Sequence, residues 1–325
     1  MLSGEQAKIT AYFKNAIKNK SVRHSYILSG TKGLGKKFLA DNICLAFACE
    51  KGEGCGICQS CLSAKKGANP DVLSFKRQDG KEYTVEEIRD VISQIFKRPK
   101  GEYKLVVFKD AHLLNEKCQN ALLKTIEEPP PYAVFIFVCE NKLSLLPTVR
   151  SRSLILELHP WKKDELRLIF GTEKEKEYFY DLSEGNPLKL LSMQSDSDFE
   201  FFREEAIKSF LTIFYISDID VYDVTEEWTS KKDNIDTMLD CLYLFLRDIM
   251  LLKFGQKETL ANIDKLKDIQ DIASKISEKS ALAMTETLAE FIAKTSKYDN
   301  LTMAIQTMFM HIKEEINDRS NRNKV

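Results

Sequence analysis

A glycine-rich segment follows a short run of β-branched and aromatic residues near the start of the sequence. The run Ser25–Ser29 leads into Gly30-Thr31-Lys32-Gly33-Leu34-Gly35-Lys36-Lys37, and an apolar helical pattern comes next. A strand, a glycine loop and a helix in this order can cradle phosphate, because backbone N–H groups and the helix N-terminus face the anion. The alternative is a glycine-rich turn that binds no nucleotide. The candidate nucleotide-binding residues are Gly30, Gly33, Gly35 and Lys36.

Lysine occupies two positions that should help to hold Mg²⁺ beside such a loop. A serine or threonine hydroxyl is needed after Lys36, and Lys37 stands there. An acidic pair is needed at the end of the run Lys104–Phe108, and the chain has Lys109 followed by Asp110. An ammonium group only donates hydrogen bonds and repels a cation. We therefore expect weak nucleotide binding or none, and no ATP hydrolysis by this chain alone.

Four cysteines are crowded into a short stretch after the helical pattern. Two overlapping C-x-x-C steps bring three thiolates together, and a fourth cysteine lies one short loop upstream. Four soft ligands form the closed tetrahedral set of structural Zn²⁺, which leaves no open position for catalysis. Cys44 is an alternative first ligand, and an iron–sulfur cluster is an alternative occupant. The predicted zinc ligands are Cys49, Cys55, Cys58 and Cys61.

Composition places the chain among folded proteins with several domains. It has 325 residues, 43% of them hydrophobic and 30% charged. This length exceeds the size at which a single hydrophobic core usually stops growing, so two or three domains are expected. The 48 Lys and Arg residues nearly balance 49 Asp and Glu, for a formal net charge of -1. Overall charge therefore does not favour DNA or anionic membranes, and any nucleic-acid contact must be local or shared with partners.

The sequence does not indicate a membrane protein. The most apolar stretch, 238–254, is interrupted by four charged residues and reads as a buried helix. The first 20 residues carry scattered lysines and no continuous apolar segment, so no signal peptide is expected. We expect a cytoplasmic protein whose cysteines are reduced.

The first half of the chain alternates strand and helix patterns, which is typical of a parallel sheet. A capping box of Thr84 and Glu87 opens an amphipathic helix predicted over Thr84–Phe96. From about residue 159 the pattern becomes all helical. We predict a nucleotide-binding-type domain over 1–158, a helical lid over 159–197 and a helical collar over 198–325. The predicted strands are Ser25–Ser29, Val72–Lys76, Lys104–Phe108, Ala133–Val138 and Leu154–Leu158.

Two further motifs give the sequence a family resemblance. They are Asn120-Ala121-Leu122-Leu123-Lys124-Thr125-Ile126-Glu127-Glu128-Pro129-Pro130 and Thr148-Val149-Arg150-Ser151-Arg152-Ser153. With the glycine loop and the cysteine cluster, they closely resemble AAA+ subunits of the bacterial replicative clamp loader, part of the DNA polymerase III holoenzyme. The resemblance extends over about residues 1–195. It implies a P-loop AAA+ sheet of five parallel strands, a lid and an oligomerising collar.

The resemblance also implies a role for Arg152. In the family a Ser-Arg-Cys motif presents an arginine finger to ATP held by the neighbouring motor subunit, and here Ser153 replaces the cysteine. Arginine suits this task because it stays charged and offers a planar fork of donors to phosphate oxygens. Arg150 is a nearby competitor for the role. Cys139 and Leu188 stand where the motor subunit has a polar sensor residue and a lid arginine.

The resemblance implies a non-catalytic clamp-loader subunit that completes a partner's ATP site in trans. Its expected partners are the motor (gamma/tau) subunits and the delta subunit, and through them the sliding clamp and primed DNA. Motor subunits usually have longer chains and an intact metal site. The alternatives are an ATP-hydrolysing motor subunit that tolerates the altered site, and a zinc-containing module that binds nucleic acid directly.

Overall fold

The computed structural model describes residues 4–77, 80–171, 176–215, 221–295 and 298–317. The chain divides into two compact units. One comprises residues 1–165 together with 186–188, and the other comprises 166–185 together with 189–325. The finer division into a sheet domain, a separate lid and a collar stays a prediction.

The first unit contains a five-stranded sheet in the order β2-β3-β4-β1-β5, and every pair of neighbours is parallel. The predicted strands are all present, but two of them are one residue shorter than predicted. β2 and β5 are the edge strands, and their pairing stops where their single neighbours end, at Phe108 and Ser29. The strands are β1 (Ser25–Ser29), β2 (Val72–Phe75), β3 (Lys104–Phe108), β4 (Ala133–Val138) and β5 (Leu154–Glu157).

The three central strands are fully buried along their whole length. Strands covered on both faces are apolar in nearly every position, which explains why they read as continuous apolar runs. Six α-helices lie wholly within the described residues of this unit. They are α1 (Gly4–Lys18), α2 (Lys36–Ala48), α3 (Gln59–Lys65), α4 (Val85–Ile95), α5 (Glu116–Glu127) and α6 (Pro147–Ser151).

The second unit is helical throughout its described residues, as predicted. Trp228 is completely buried, and its ring meets that of Phe309 edge-on with centroids 5.0 Å apart. No helix among the described residues is long and apolar enough to cross a membrane. The helices are α7 (Lys163–Phe170), α8 (Tyr178–Leu182), α9 (Pro187–Ser195), α10 (Phe199–Tyr215), α11 (Val221–Ser230), α12 (Ile235–Lys253), α13 (Leu266–Lys275), α14 (Glu278–Lys294) and α15 (Leu301–Asn317). Two of these helices, α7 and α9, begin with residues of the first unit.

The predicted capping box at the start of α4 is confirmed. The Thr84 hydroxyl accepts from the Glu87 N–H at 3.3 Å, and the Glu87 carboxylate accepts from the Thr84 N–H at 2.8 Å. Both donors would otherwise lack partners at the helix start. The cap therefore fixes where the helix begins.

A buried glutamine joins α5 to the segment that precedes α6. The Gln119 amide nitrogen donates to the carbonyls of Leu114 at 2.7 Å and Ser144 at 3.2 Å. Its amide oxygen accepts from the Leu146 N–H at 2.7 Å. Gln119 is 4% exposed, so these groups have little access to water. One side chain thus sets the position of α6 relative to α5.

We predict that Gln119→Ala destabilises the first unit, because buried backbone groups lose their partners. The loss in free energy of unfolding should be about 2 kcal/mol, the cost of leaving such groups unsatisfied. Urea denaturation followed by circular dichroism and tryptophan fluorescence measures it. The matched control is Asn120→Ala, at the adjacent exposed position of α5. Equal midpoints for both variants would contradict the role given to Gln119.

Candidate functional site

The glycine loop has the backbone geometry of a phosphate cradle. Gly30, Gly33 and Gly35 adopt φ values of 146°, 90° and 79°, which residues with a side chain rarely reach. A Cβ at Gly30 would also lie 2.5 Å from the Leu158 carbonyl oxygen. Gly35 is the N-cap of α2 and supplies no side-chain cap. The first N–H groups of that helix are therefore not covered by a capping side chain.

Lys36 is folded back onto its own loop. Its Nζ donates to the carbonyl oxygens of Gly30 at 2.5 Å and Thr31 at 2.6 Å. The residue is only 8% exposed, and burial lowers the pKa of the ammonium group. These two carbonyls use two of the three N–H donors of Lys36, so one N–H remains for a phosphate oxygen.

Two ion pairs occupy the region where a P-loop ATPase holds its metal. Lys37 Nζ lies 2.5 Å from Asp110 Oδ1, and Lys109 Nζ lies 2.5 Å from Asp41 Oδ1. The sequence predicted two ammonium groups that repel a cation, but both are paired with carboxylates. The obstacle is instead that Asp110, the one acidic residue left at the end of β3, is already bound to Lys37.

A cavity of about 330 Å³ opens between the loop and the carboxyl ends of the central strands. Lys37, Lys109 and Asp110 line it, and so do Cys139 and Leu188. Burial raises the pKa of the Cys139 thiol to about 11, so this side chain is neutral near pH 7, whereas the adjacent Glu140 also lines the cavity. Cys139 and Leu188, the residues expected at the sensor positions, therefore contribute no charge to the cavity.

The four cysteines predicted to bind metal come together in the structure. The Sγ atoms of Cys49, Cys55, Cys58 and Cys61 all lie within 4.8 Å of one another. Tetrahedral zinc with Zn–S bonds of about 2.3 Å requires comparable separations. The Cys58 N–H points to Cys55 Sγ at 3.5 Å, and the Cys61 N–H points to Cys58 Sγ at 3.4 Å. The cluster could hold a metal ion.

Hydrogen bonds prepare two of the thiols for ionisation. At Cys49 burial opposes the thiolate, but the N–H groups of Cys55 and neighbouring residues outweigh it and lower the pKa to about 6. The N–H of Cys61 lowers the pKa of Cys58. Burial raises the pKa of Cys44 to about 12, and this residue is not part of the cluster. Of the two candidates for the first ligand, the structure therefore groups Cys49 with the others.

Arg152 lies directly after α6, as that helix's C-cap residue. Its Nη2 atom is 2.8 Å from Glu127 Oε1, and its Nη1 atom donates to the Thr148 carbonyl at 3.1 Å. The side chain is 38% exposed. The guanidinium is thus held in place and still open to solvent.

The side chains of Ser153 and Arg150, the neighbours of Arg152, are less accessible than the guanidinium of Arg152. Ser153, which replaces the family's cysteine, forms a 2.7 Å hydrogen bond with the Ser25 hydroxyl at the start of β1. The Nε atom of Arg150 is buried and has no hydrogen-bond partner among the described residues. Arg150 therefore points partly into the protein, whereas Arg152 is more accessible.

Sequence reasoning did not identify three residues that organise these sites. Asp41 lies one helical turn after Lys37 on α2, and this spacing could have indicated a carboxylate close to the metal region. Glu127 lies in a quoted motif, but nothing in that motif pairs it with Arg152. Asn186 donates from Nδ2 to the Lys32 carbonyl at 2.9 Å, although 154 positions separate the two residues.

Sequence comparison identifies the family. The profile of "DNA polymerase III, delta subunit" matches residues 5–162, and "DNA polymerase III, delta subunit, C terminal" matches residues 198–304. DNA polymerase III subunit tau of Escherichia coli (strain K12) is 29% identical over 168 residues, 50% of this chain and 26% of that protein. DNA polymerase III subunit gamma of Buchnera aphidicola (subsp. Schizaphis graminum) is 31% identical over 163 residues, 50% of this chain and 45% of that protein.

These alignments span less than half of each relative. Among solved structures, a gamma subunit-related protein of Thermotoga maritima covers 93% of this chain and 99% of its own, at 14% identity and a TM-score of 0.40. The two delta-subunit profiles together match well over half of the chain. The chain therefore belongs to the DNA polymerase III delta-subunit family of clamp-loader proteins.

Proposed function

We propose that this chain is a non-catalytic clamp-loader subunit of the delta-prime type. It completes the ATP site of a neighbouring subunit in trans with Arg152, and it assists loading of the sliding clamp onto primed DNA. The observation that carries the proposal is the contrast between two positions. The metal region is filled by the pairs Lys37–Asp110 and Lys109–Asp41, whereas Arg152 remains accessible.

The chain's own glycine loop lacks the groups that ATP hydrolysis requires. Phosphoryl transfer depends on Mg²⁺ held by a hydroxyl and a carboxylate, and on a residue that orients the attacking water. Lys37 cannot supply the hydroxyl, and Asp110 is engaged by Lys37 at 2.5 Å. Neither of these two usual ligands is therefore free to hold the metal, since position 37 has no hydroxyl and Asp110 is paired.

Arg152 is far from the glycine loop of its own chain. Arg152 lies next to the start of β1, since Ser153 contacts Ser25, whereas the glycine loop follows the end of β1. Five residues of extended strand span about 13 Å, which is more than the length of an arginine side chain. Arg152 is therefore too far from this chain's own loop to contact a phosphate held there, and we propose that it contacts a nucleotide held by another subunit. Motor (gamma/tau) and delta subunits are the proposed partners.

The isolated protein should hydrolyse ATP no faster than a buffer control. The reason is that Lys37 and Lys109 replace the groups that position Mg²⁺. A phosphate-release assay on the purified chain measures this, with Lys36→Ala as the reference variant. Turnover by the unmodified chain that disappears in Lys36→Ala would show that the chain is itself a motor subunit.

We also propose that the cysteine cluster holds one structural Zn²⁺. Cys58→Ser should lower zinc content and thermal stability together, because binding free energy at a structural site contributes to folding. Elemental analysis and thermal denaturation of protein purified without chelators measure both. Cys44→Ser is the matched control and should retain the metal. Absence of zinc in the unmodified protein, or full occupancy in Cys58→Ser, would contradict the assignment.

Arg152→Ala should reduce DNA-stimulated ATPase and clamp loading by the reconstituted complex several-fold. The substitution removes a fixed positive charge where negative charge develops in the partner's transition state; trans arginines in GTPases change rates by about 10³–10⁵. The effect here is smaller because the complex has other ATP sites. Folding, zinc content and assembly should not change.

Two further variants make the Arg152 test specific. Arg152→Lys should restore little activity, because an ammonium group lacks the planar fork of donors. Arg150→Ala should have a smaller effect than Arg152→Ala. If a complex with Arg152→Ala loads clamps at the unmodified rate, the finger assignment is wrong and this chain acts only as a scaffold.

A further inference from the structure

The guanidinium of Arg152 is held by a glutamate from another helix. Glu127 Oε1 lies 2.8 Å from Nη2 of Arg152, with the two side chains 44% and 38% exposed. On its other side the guanidinium donates from Nη1 to the Thr148 carbonyl at 3.1 Å and to the Ser151 hydroxyl at 3.4 Å. The pair links the end of α5 to the end of α6, and it fixes where the arginine points.

Glu127 is an unusual residue for its position. It is the last residue of α5, where the partial negative charge of a helix terminus disfavours a carboxylate. The preceding Ile126 is completely buried and anchors the helix end, and Pro129 stops the helix soon after. A cation beside this end interacts with the carboxylate and with the helix dipole together. Arg152 is such a cation, in addition to Lys124 in the last turn of the helix itself.

The backbone of Arg152 is fixed independently of its side chain. Val149 is 1% exposed, and the Ser153 hydroxyl donates to its carbonyl at 2.8 Å while also contacting Ser25. The main chain on both sides of Arg152 is therefore anchored to the core and to β1. The orientation of the long side chain depends on the contacts of its guanidinium, and Glu127 is the contact that comes from another helix.

The contacts leave part of the guanidinium fork available. Within the described parts of the chain they use Nη1 twice and Nη2 once, so the Nε–H and one N–H of Nη2 remain for a phosphate oxygen. Because both partners are exposed, the ion pair is weak enough for the arginine to adjust when a phosphate approaches. Glu127 thus orders the arginine without trapping it.

We propose that Glu127 is a positioning residue for Arg152, which orients the guanidinium toward the partner's nucleotide before the subunits meet. The inference rests on the proposed trans role of Arg152. It adds that the side chain is pre-ordered by this chain rather than captured by the partner. Ordering in advance lowers the entropy cost of the contact in the transition state.

The test uses the reconstituted complex of motor, delta and this subunit, with DNA-stimulated ATPase as the readout. Glu127→Ala should lower kcat about two- to fivefold, the range that corresponds to loss of an exposed ion pair, and leave KM for ATP unchanged. Glu127→Gln keeps the length and an acceptor oxygen but loses the charge, so it should be intermediate. Glu128→Ala is the matched control, because Glu128 is adjacent and exposed and has no ion-pair partner among the described residues, and it should behave as the unmodified subunit.

A double variant separates this inference from the function on which it rests. If Glu127 acts through Arg152, Glu127→Ala should have no further effect in the Arg152→Ala background. If each substitution lowers the rate by the same factor in either background, or if Glu127→Ala alone has no effect, the positioning role is wrong while the finger stands. If Arg152→Ala itself leaves the rate unchanged, the trans role fails and the inference falls with it. Equal thermal midpoints for the single variants exclude misfolding as the cause.

Discussion

All five strands of the sheet run in the same direction, and this constraint decides which side chains can act together. The carboxyl ends of the strands meet at one edge, where the glycine loop follows β1 and Asp110 follows β3. The amino ends meet at the opposite edge, where Ser153 leads into β5 beside Ser25. Helices that connect parallel strands must cross back between the two edges, so α5 carries the chain from Asp110 to Glu127. The glycine loop and Arg152 are consequently at opposite ends of the strands of one sheet.

The two edges also differ in how their charges are used. At the carboxyl edge the lysines and aspartates neutralise one another, and Lys36 satisfies loop carbonyls. At the amino edge the charged pair is half exposed, and the arginine retains donors for another molecule. Charges that are fully paired within the chain suit a structural role, and a charged group with free hydrogen-bond donors suits a contact with another molecule. This difference supports the proposal that the chain's own loop is not catalytic and that Arg152 acts on a partner's nucleotide.

Much of this arrangement could be predicted from the sequence because its signals are local. Strand positions follow from continuous apolar runs, the start of α4 from a capping box, and the cysteine cluster from C-x-x-C spacing. The strand ends were less predictable, since β2 and β5 stop where a neighbouring strand stops. The partners of Lys37, Lys109 and Arg152 depend on which helices pack beside the sheet. A residue's type indicates that it can form an ion pair, but tertiary structure selects its partner.

The two ion pairs at the carboxyl edge also determine what it would cost to build a metal site there. Threonine at position 37 alone would leave Asp110, whose side chain is 9% exposed, without its counter-ion. Aspartate at position 109 alone would set a second carboxylate beside Asp41. The first change would leave a largely buried carboxylate uncompensated, whereas Asp41 is 54% exposed and water would screen the second. A magnesium ion bound at this edge would have to serve as the counter-ion of Asp110 in place of the Lys37 ammonium group.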